Sequence, residues 1–326
     1  MLIAQVTDIH LGFDRDDPAE FNRKRLDQVL RHLNNGPNRP NLLIATGDLT
    51  EHGAAASYRQ LADAFSICSF PVHMCLGNHD IRSNFTAQFP ETPVVDGFVQ
   101  YALAAGGVRI LMLDTLEEGR HGGAFCDTRA KWLRSTLAQD RDTPTIIGMH
   151  HPPVEIGIAW MNTHAEEQWV SNFTRAILDA PNIKGIMCGH VHRSIAVPWQ
   201  GTSVAICSST APQVALDLNP IDPENPDDRP MIVADQPAYA LHFWNSVIMA
   251  VPAVLISTAW GAINGYVLSM WKFRGSEVLF GFLLFGVFMP FQVVLLPMSQ
   301  VLGWLGLSSS IGGLVLVHCL AGMAGT

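Results

Sequence analysis

Cysteine is scarce in this chain and follows no pattern that would pair it. Six cysteines are spread over 326 residues, without a CxxC spacing or a regular framework. Disulfide-built domains and thiolate zinc sites both require closely or regularly spaced cysteines. The cysteines are therefore predicted to be reduced and mostly buried, as in a cytosolic protein.

The sequence also lacks a basic cluster and a secretory signal. Residues 1–244 carry 18 of the 20 basic and 28 of the 29 acidic residues, a formal charge of 18 − 28 = −10. An acidic surface without a lysine- or arginine-rich patch argues against nucleic acid as a partner. The opening segment Met1–Val6 has no basic region followed by a long apolar run. The first part of the chain is therefore expected in the cytoplasm.

Charge is nearly absent beyond residue 244, where the sequence carries only Lys272, Arg274 and Glu277. The overall mean hydropathy of +0.19 is thus an average over two unlike parts. The uncharged runs 247–271 and 278–326 are long enough for membrane-spanning helices, which need about 20 apolar residues each. We therefore expect an all-α transmembrane segment of two to three helices after a soluble domain.

In the first part, apolar runs of strand length alternate with amphipathic helix patterns. The predicted strands are Leu2–Val6, Leu42–Thr46, Val72–Leu76, Arg109–Asp114, Thr145–Met149 and Ile183–Cys188. The predicted helices are Pro18–Leu33, Ala54–Ser66, Asp127–Ala138 and Glu166–Leu178. Such alternation predicts an α/β fold with helices covering sheets that are at least partly parallel. A β-hairpin is expected over Ser194–Ser208, and a long loop over residues 216–237.

Five short polar motifs stand where predicted strands end. They are Asp8-Ile9-His10, Gly47-Asp48, Gly77-Asn78-His79-Asp80, His150-His151-Pro152 and Gly189-His190-Val191-His192. Open α/β sheets place their sites at the carboxyl ends of strands. Side chains at i and i+2 of a strand point to the same side, so Asp8 and His10 are expected to form one fork and His190 and His192 another. The pattern predicts a site for two metal ions.

The ordered motifs D-x-H, G-D, G-N-H-D, H and G-H-x-H resemble those of the calcineurin-like metallophosphoesterases. The MHHPP and GNHD versions are most similar to the bacterial class III cyclic-nucleotide phosphodiesterases and to related glycerophosphodiesterases. The resemblance covers about residues 1–244 and implies a four-layer α-β-β-α sandwich. It also implies hydrolysis of a small phosphodiester by attack of a metal-bound hydroxide. The favoured substrate is a 3',5'-cyclic nucleotide such as cAMP, and a glycerophosphodiester is the alternative.

The same resemblance implies two sets of metal ligands. Asp8, His10 and His192 would hold one ion, Asn78, His150 and His190 the other, and Asp48 would bridge the two. A carboxylate has two anionic oxygens, which suits ions about 3.5–4 Å apart. Four imidazoles with oxygen donors and no thiolate favour Mn, Fe, Co or Zn, as divalent or mixed-valence ions.

Further residues of this domain are candidates for catalysis and substrate binding. The resemblance implies that His79 faces the substrate and protonates the leaving group, with Glu51 orienting and charging it. Arg82 and His121 are candidate contacts to the substrate. His151 is interpreted as structural, because it precedes the turn at Pro152-Pro153. A homodimer formed through this domain is left open.

The tail resembles a second family, the sugar-type ABC transporter permeases. The similarity rests on segments such as Gly261–Tyr266, Lys272–Gly275 and Phe288–Gln292. It starts after the family's first span and lacks the segment that docks on the ATPase. The expected domains are thus 1–244 and 245–326, with the full-length chain in the inner membrane. A permease subunit with a fused regulatory domain is the alternative from another functional class.

Overall fold

The computed structural model describes residues 1–242 except 16, 18, 162 and 220–229, together with Ala259 and Tyr266. Its strands are β1 (Ile3–Val6), β2 (Leu42–Thr46), β3 (Val72–Cys75), β4 (Tyr101–Ala105), β5 (Val108–Met112), β6 (Thr145–Gly148), β7 (Ile183–Cys188), β8 (Ile195–Trp199), β9 (Thr202–Ile206), β10 (Gln213–Val214), β11 (Ile232–Val233) and β12 (Ala240–His242). Its α-helices are α1 (Phe21–Asn35), α2 (Ala55–Phe65), α3 (Arg82–Gln88), α4 (Asp127–Gln139) and α5 (Gln168–Ile177).

The strands form two mixed sheets and one short ribbon. The first sheet has the order β12-β1-β2-β3, and the second has the order β4-β5-β6-β7-β9-β8. The central pairs β1–β2, β2–β3, β5–β6 and β6–β7 are parallel, as the strand–helix alternation predicts. The predicted hairpin forms as β8–β9, and β10 pairs antiparallel with β11. Parallel pairing aligns the carboxyl ends of the strands, where the polar motifs follow.

Burial shows how the layers stack. Successive residues of β5 face opposite sides: Ile110 and Met112 join one apolar cluster, and Leu111 joins the other. The first cluster also holds the buried leucines of α1 and the first sheet, and the second holds the apolar faces of α4 and α5. The order is therefore helix, sheet, sheet, helix. The predicted four-layer α-β-β-α arrangement is thus observed in this part of the chain.

Several elements differ from the expectation. The first helix begins at Phe21 and ends at Asn35, two residues beyond the predicted end. Five α-helices or strands were not predicted: α3, β4, β10, β11 and β12. The loop expected over residues 216–237 contains β11. Short strands such as β11 and β12 are stabilised by the strands they pair with, so their own sequences carry little signal.

The end of the described domain is attached to its first strand. In β12, His242 pairs with Ile3 of β1, and His242 Nε2 lies 2.7 Å from Gln5 Oε1. The chain divides between His242 and Phe243. The expected transmembrane and permease-like segment lies outside the described residues, apart from Ala259 and Tyr266. Among the residues that are described, no helix has the length and apolar character needed to cross a bilayer.

Candidate metal centre

The loops after the strands turn through left-handed backbone conformations. Non-glycine residues with positive φ occur at five of the polar motif positions: Asp8 (51°), His10 (52°), Asp48 (48°), His190 (72°) and His192 (56°). Such conformations cost about 1–2 kcal/mol per residue and concentrate at functional sites. Strand alternation, which was expected to orient the i, i+2 pairs, is therefore not the cause of their arrangement. The strands have already ended, and left-handed turns bring the side chains together.

Three glycines beneath the site serve two different purposes. Gly47 has a φ of +87°, a conformation that glycine adopts without strain. Gly77 and Gly189 do not show a positive φ. A Cβ at Gly77 would collide with the Asp48 side chain, and one at Gly189 would collide with the Thr7 hydroxyl. These two glycines allow neighbouring loops to approach closely.

The first predicted half-site is assembled from both ends of the domain. Asp8 and His10 follow β1, whereas His192 follows β7. His10 Nε2 lies 3.1 Å from His192 Nε2, and His192 Nε2 lies 3.3 Å from Asp8 Oδ1. One ligand atom from each residue falls within 4.8 Å of the others. The three donors are thus close enough to bind one ion.

The second predicted half-site centres on the amide oxygen of Asn78. Asn78 Oδ1 lies 3.2 Å from His150 Nε2 and 3.0 Å from His190 Nδ1. The three residues come from different loops, after β3, β6 and β7. The structure therefore brings together the residues that the resemblance assigned to the second ion.

Asp48 lies between the two half-sites. Its Oδ2 is 3.2 Å from His150 Nε2 and 3.7 Å from His10 Nε2. Its Oδ1 accepts a hydrogen bond from the backbone N–H of His79 at 2.9 Å. The carboxylate is buried and faces imidazoles of both sets, which is the position expected of a bridging ligand.

Hydrogen bonds behind the imidazoles fix their orientation. Nδ1 of His150 donates to Thr46 O at 2.8 Å, and Nδ1 of His192 donates to Pro212 O at 2.8 Å. Because Nδ1 carries the proton in each bond, Nε2 of the same ring is left with a lone pair that can bind a metal, as is usual in protein metal sites. With imidazole, carboxylate and amide donors and no thiolate, the clusters fit a dinuclear metal centre.

The buried charges of this cluster are strongly coupled. Burial would raise the pKa of Asp48, but His150 and His10 outweigh burial and hold that pKa well below its ordinary value. Burial would lower the pKa of His150, but Asp48 outweighs burial and raises it to about 9. Burial and the charge of His150 lower the pKa of His190 to about 3. Without metal, the cluster therefore holds a proton on His150 beside the Asp48 carboxylate.

Glu51 lies closer to His10 than to His79. Its Oε2 is 2.7 Å from His10 Nδ1, whereas its Oε1 is 3.8 Å from His79 Nδ1. His79 is hydrogen-bonded to the Glu51 backbone: its Nδ1 donates to the Glu51 carbonyl oxygen at 2.9 Å. The Glu51 carboxylate thus orients a predicted metal ligand, and its backbone carbonyl orients His79. That Glu51 also charges His79 stays a prediction.

The two candidate substrate contacts lie in different surroundings. Arg82 binds the buried Asp114 carboxylate through Nε and Nη2, at 2.8 and 2.9 Å. It is not among the described residues that line the cavity over the metal centre. Arg82 is therefore held in an ion pair with Asp114, and its contact with a phosphate stays a prediction. His121 does line that cavity, with its ring 6.1 Å from that of His79.

His151 lies within ligand distance of His150 and His190, but both of its ring nitrogens have other partners. Nε2 donates to His121 O at 3.1 Å, and Nδ1 accepts from the Thr115 hydroxyl at 2.8 Å. Burial, together with the charges of His190 and His150, holds the pKa of His151 well below its ordinary value. A neutral structural histidine, as predicted, is consistent with these contacts.

Asp80 has a positioning role that the sequence reasoning missed. Its carboxylate accepts hydrogen bonds from the backbone N–H groups of Leu49, Thr50 and Gly77 and from the Tyr58 hydroxyl. It thereby joins the loop that carries Asp48 to the loop that carries Asn78. The sequence signal for this role was an acidic residue in a turn after an apolar strand, because such turns leave backbone N–H groups that a carboxylate can accept from.

A cavity of about 920 Å³ opens over the centre. His10, Asp48, Asn78, His190 and His192 line its floor, beside His79, Glu51 and His121. The polar floor is thus accessible to a small molecule. The fold and this site fit the class of hydrolases that hold metal ions with histidine and carboxylate ligands.

Comparisons with known proteins agree with that class. The family model for calcineurin-like phosphoesterases matches residues 1–194. The chain therefore belongs to the calcineurin-like phosphoesterase family.

Two curated relatives carry different names. A protein of Arcobacter nitrofigilis, "Probable glycerophosphodiester phosphodiesterase GpdQ", is 28% identical over 250 residues, covering 75% of this chain and 89% of the relative. The "3',5'-cyclic adenosine monophosphate phosphodiesterase CpdA" of Vibrio vulnificus is 30% identical over 219 residues, covering 65% and 77%. The expectation of a metal-dependent phosphoric diester hydrolase is confirmed.

A solved structure supports the fold. The dimetal phosphatase from Danio rerio superposes with a TM-score of 0.52 at 14% identity, covering 64% of this chain and 88% of that one. At this identity the likeness concerns the fold alone.

Proposed function

We propose that the domain hydrolyses a 3',5'-cyclic nucleotide such as cAMP at a dinuclear metal centre. The observation that carries this proposal is the position of Asp48, whose Oδ2 faces His150 of one set and His10 of the other. Two divalent ions bound there would act as Lewis acids and lower the pKa of coordinated water. Two such ions (+4), with the charges of Asp8, Asp48 and one hydroxide, leave about +1, which attracts a phosphodiester monoanion.

His79 is the proposed acid for the leaving alkoxide. It lines the cavity, and its Nδ1 donates to the backbone carbonyl of Glu51. Nε2 is therefore the nitrogen that remains to carry a proton to the substrate. The backbone N–H of His79 also donates to Asp48 Oδ1, and this bond holds the proposed acid, His79, beside the proposed bridging ligand, Asp48.

A glycerophosphodiester is the second candidate substrate. It is favoured by the relative named as a glycerophosphodiester phosphodiesterase, 89% of whose length is covered by this chain. The metal floor would bind the phosphate of either substrate, so the choice depends on the walls of the cavity.

The test compares substrates in parallel. The chain is loaded with Mn, Fe, Co or Zn and assayed with cyclic AMP, glycerophosphocholine, bis-p-nitrophenyl phosphate and p-nitrophenyl phosphate. The proposal expects diesters to be cleaved far faster than the monoester, with cyclic AMP preferred. Equal turnover of p-nitrophenyl phosphate and its bis ester would contradict the diester assignment. Preference for glycerophosphocholine would select the second candidate.

We also propose that residues 245–326 anchor the chain in the inner membrane as a partial permease-like segment, with the hydrolase domain in the cytoplasm. The uncharged runs 247–271 and 278–326 support this proposal. A truncation after His242, which keeps β12 paired with β1, should retain activity without detergent. The full-length chain should fractionate with membranes. Full-length chain that stays monomeric without detergent would contradict the anchor.

A further inference from the structure

The cavity over the metal centre has an apolar wall, made of lining residues other than the proposed ligands. Six large apolar side chains line it: Phe13, Phe21, Trp160, Met161, Val214 and Ile232. Four of them are more than a third exposed, with exposed fractions of 67%, 56%, 38% and 57% for Phe13, Phe21, Trp160 and Ile232. Among the described residues, 11 large apolar side chains are this exposed. The gathering of four of them in one cavity points to a bound apolar group.

Separate parts of the fold supply the wall. Phe13 lies in the loop after β1, and Trp160 lies in the short helical turn Ala159–Met161. Val214 and Ile232 come from the β10–β11 ribbon. The wall therefore depends on the tertiary fold, because no single segment forms it.

Hydrogen bonds connect this wall to the metal floor. Asn22, next to Phe21, donates to the backbone carbonyl of His10 at 2.9 Å. Arg25, whose guanidinium lies 5.3 Å from the Phe21 ring centroid, donates to the carbonyls of Thr210 and Asp235. These bonds fix the start of α1 against the proposed ligand loop, so the wall and the phosphate site are held together.

The polar residues around the wall restrict the kind of group it can accept. The same lining contains three carboxylates, Asp14, Asp17 and Glu20, and one guanidinium, Arg15. A second phosphate would be repelled there, and a glycerol group offers no apolar face to cover the aromatic rings. A purine has two apolar faces and, in adenine, an amino group that can donate to a carboxylate. Stacking of a base on an aromatic side chain contributes substantially to binding.

We propose that Phe13, Phe21 and Trp160 form the subsite for the nucleobase of the cyclic-nucleotide substrate. This inference rests on the proposed function and adds its specificity-determining residues. The metal floor binds the cyclic phosphate, and the aromatic wall covers a face of the base. The two parts of the cavity thus recognise the two chemically different ends of one molecule.

The test uses exposed positions, whose substitution disturbs packing little. Trp160→Ala and Phe13→Ala are compared with Trp160→Phe, which keeps a ring, and with Leu178→Ala. Leu178 is 69% exposed and is not among the residues lining the cavity. Each variant is assayed with cyclic AMP, with glycerophosphocholine and with 1-O-methyl-ribose 3',5'-cyclic phosphate, which has the same phosphate ring without a base.

The expected result is a loss of about tenfold in kcat/KM for cyclic AMP in each alanine variant, mainly through KM, because one stacked base is uncovered. Turnover of the base-free substrate should stay unchanged, Trp160→Phe should recover most of the loss, and Leu178→Ala should equal wild type. Equal losses on both substrates would overturn the proposal. So would a loss seen only with glycerophosphocholine, which would indicate recognition of a cationic head group.

Binding of adenosine separates this proposal from the proposed function. Adenosine has no phosphodiester, so its dissociation constant, measured by calorimetry on metal-loaded protein, does not depend on turnover. Weaker adenosine binding in Trp160→Ala than in wild type supports the subsite even if no diester is hydrolysed. Equal binding in the two proteins, or no binding to wild type, overturns the subsite even if cyclic AMP is hydrolysed.

Discussion

The Glu51 carboxylate lies 2.7 Å from Nδ1 of His10 and is thereby placed behind a predicted metal ligand. Its distance to Nδ1 of His79 is 3.8 Å. Burial would raise the pKa of Glu51, but the hydrogen bond with His10 and its charge outweigh burial and lower that pKa. Glu51 is thus an anion that orients His10 through Nδ1 and leaves Nε2 to the metal.

Glu51→Ala should therefore weaken metal binding. Loss of such an outer partner typically lowers metal affinity about 10- to 100-fold. Competition with a chelator measures the affinity, and Glu51→Gln is the control because its amide oxygen still accepts from Nδ1. If Glu51→Ala binds metal as wild type does but loses turnover, the carboxylate acts on His79 instead.

His79→Ala should keep both metals and lose turnover. General acid catalysis is worth about 100- to 10,000-fold, and the loss should be largest for alkoxide leaving groups. p-Nitrophenolate leaves without protonation, so bis-p-nitrophenyl phosphate should be affected much less than cyclic AMP. Metal content that falls in step with activity would show that His79 is a ligand or a residue of the fold.

Gly189→Ala should destabilise the domain. Its new Cβ would collide with the Thr7 hydroxyl and approach Asp8 Oδ2 to 2.9 Å and Thr46 O to 3.0 Å. Overpacking of this kind costs about 1–3 kcal/mol, measurable by denaturant unfolding of the metal-free protein. The matched control is Gly122→Ala, since a Cβ at Gly122 meets nothing within 4 Å. Equal stability of the two variants would mean that the loops at Gly189 can separate freely.

Metal uptake should release protons at neutral pH. In the metal-free fold the pKa of His150 is about 9, above its ordinary value of 6.5, because Asp48 outweighs burial. The His150–Asp48 pair therefore stabilises the metal-free fold fully below pH 6.5, and this contribution is lost as pH rises through about 9. A metal requires neutral His150, so binding displaces its proton.

Calorimetry in buffers of different ionisation enthalpy counts those protons. The number released by His150 should be near one at pH 7 and should decline as pH approaches 9. His150→Gln is the control, because it removes this proton. No proton release at pH 7 in the wild-type chain would contradict the assigned coupling.

The sequence predicted the strands that carry the motifs because each is a short apolar run, as in β2 and β7. It predicted the gathering of Asp8, Asp48 and His190 because each follows the carboxyl end of a strand, where open α/β sheets place their sites. It could not predict the left-handed turns at these residues, since neither aspartate nor histidine requires a positive φ. Nor could it predict that Arg82 would bind Asp114, because that pair joins the start of α3 to the segment after β5, which lies far along the chain.

The aromatic wall illustrates a second limit of the sequence. Phe13 and Trp160 are far apart in the chain, and neither belongs to a motif. Exposed aromatic residues in loops have no periodic pattern, so only the cavity reveals that they line one site. The polar floor was predictable because metal chemistry restricts residue type, whereas an apolar wall accepts many sequences.

The most direct test of the central claim is the metal content of wild type and Asp48→Asn, measured by mass spectrometry alongside turnover of bis-p-nitrophenyl phosphate in the same samples. The account predicts two ions per chain in active wild type, with activity appearing as the second ion is added. Asp48→Asn should hold one ion or none and lose turnover, because the amide supplies only one neutral oxygen where the carboxylate faces both half-sites. Full activity with one ion per chain, or two ions and normal turnover in Asp48→Asn, would contradict a dinuclear centre bridged by Asp48.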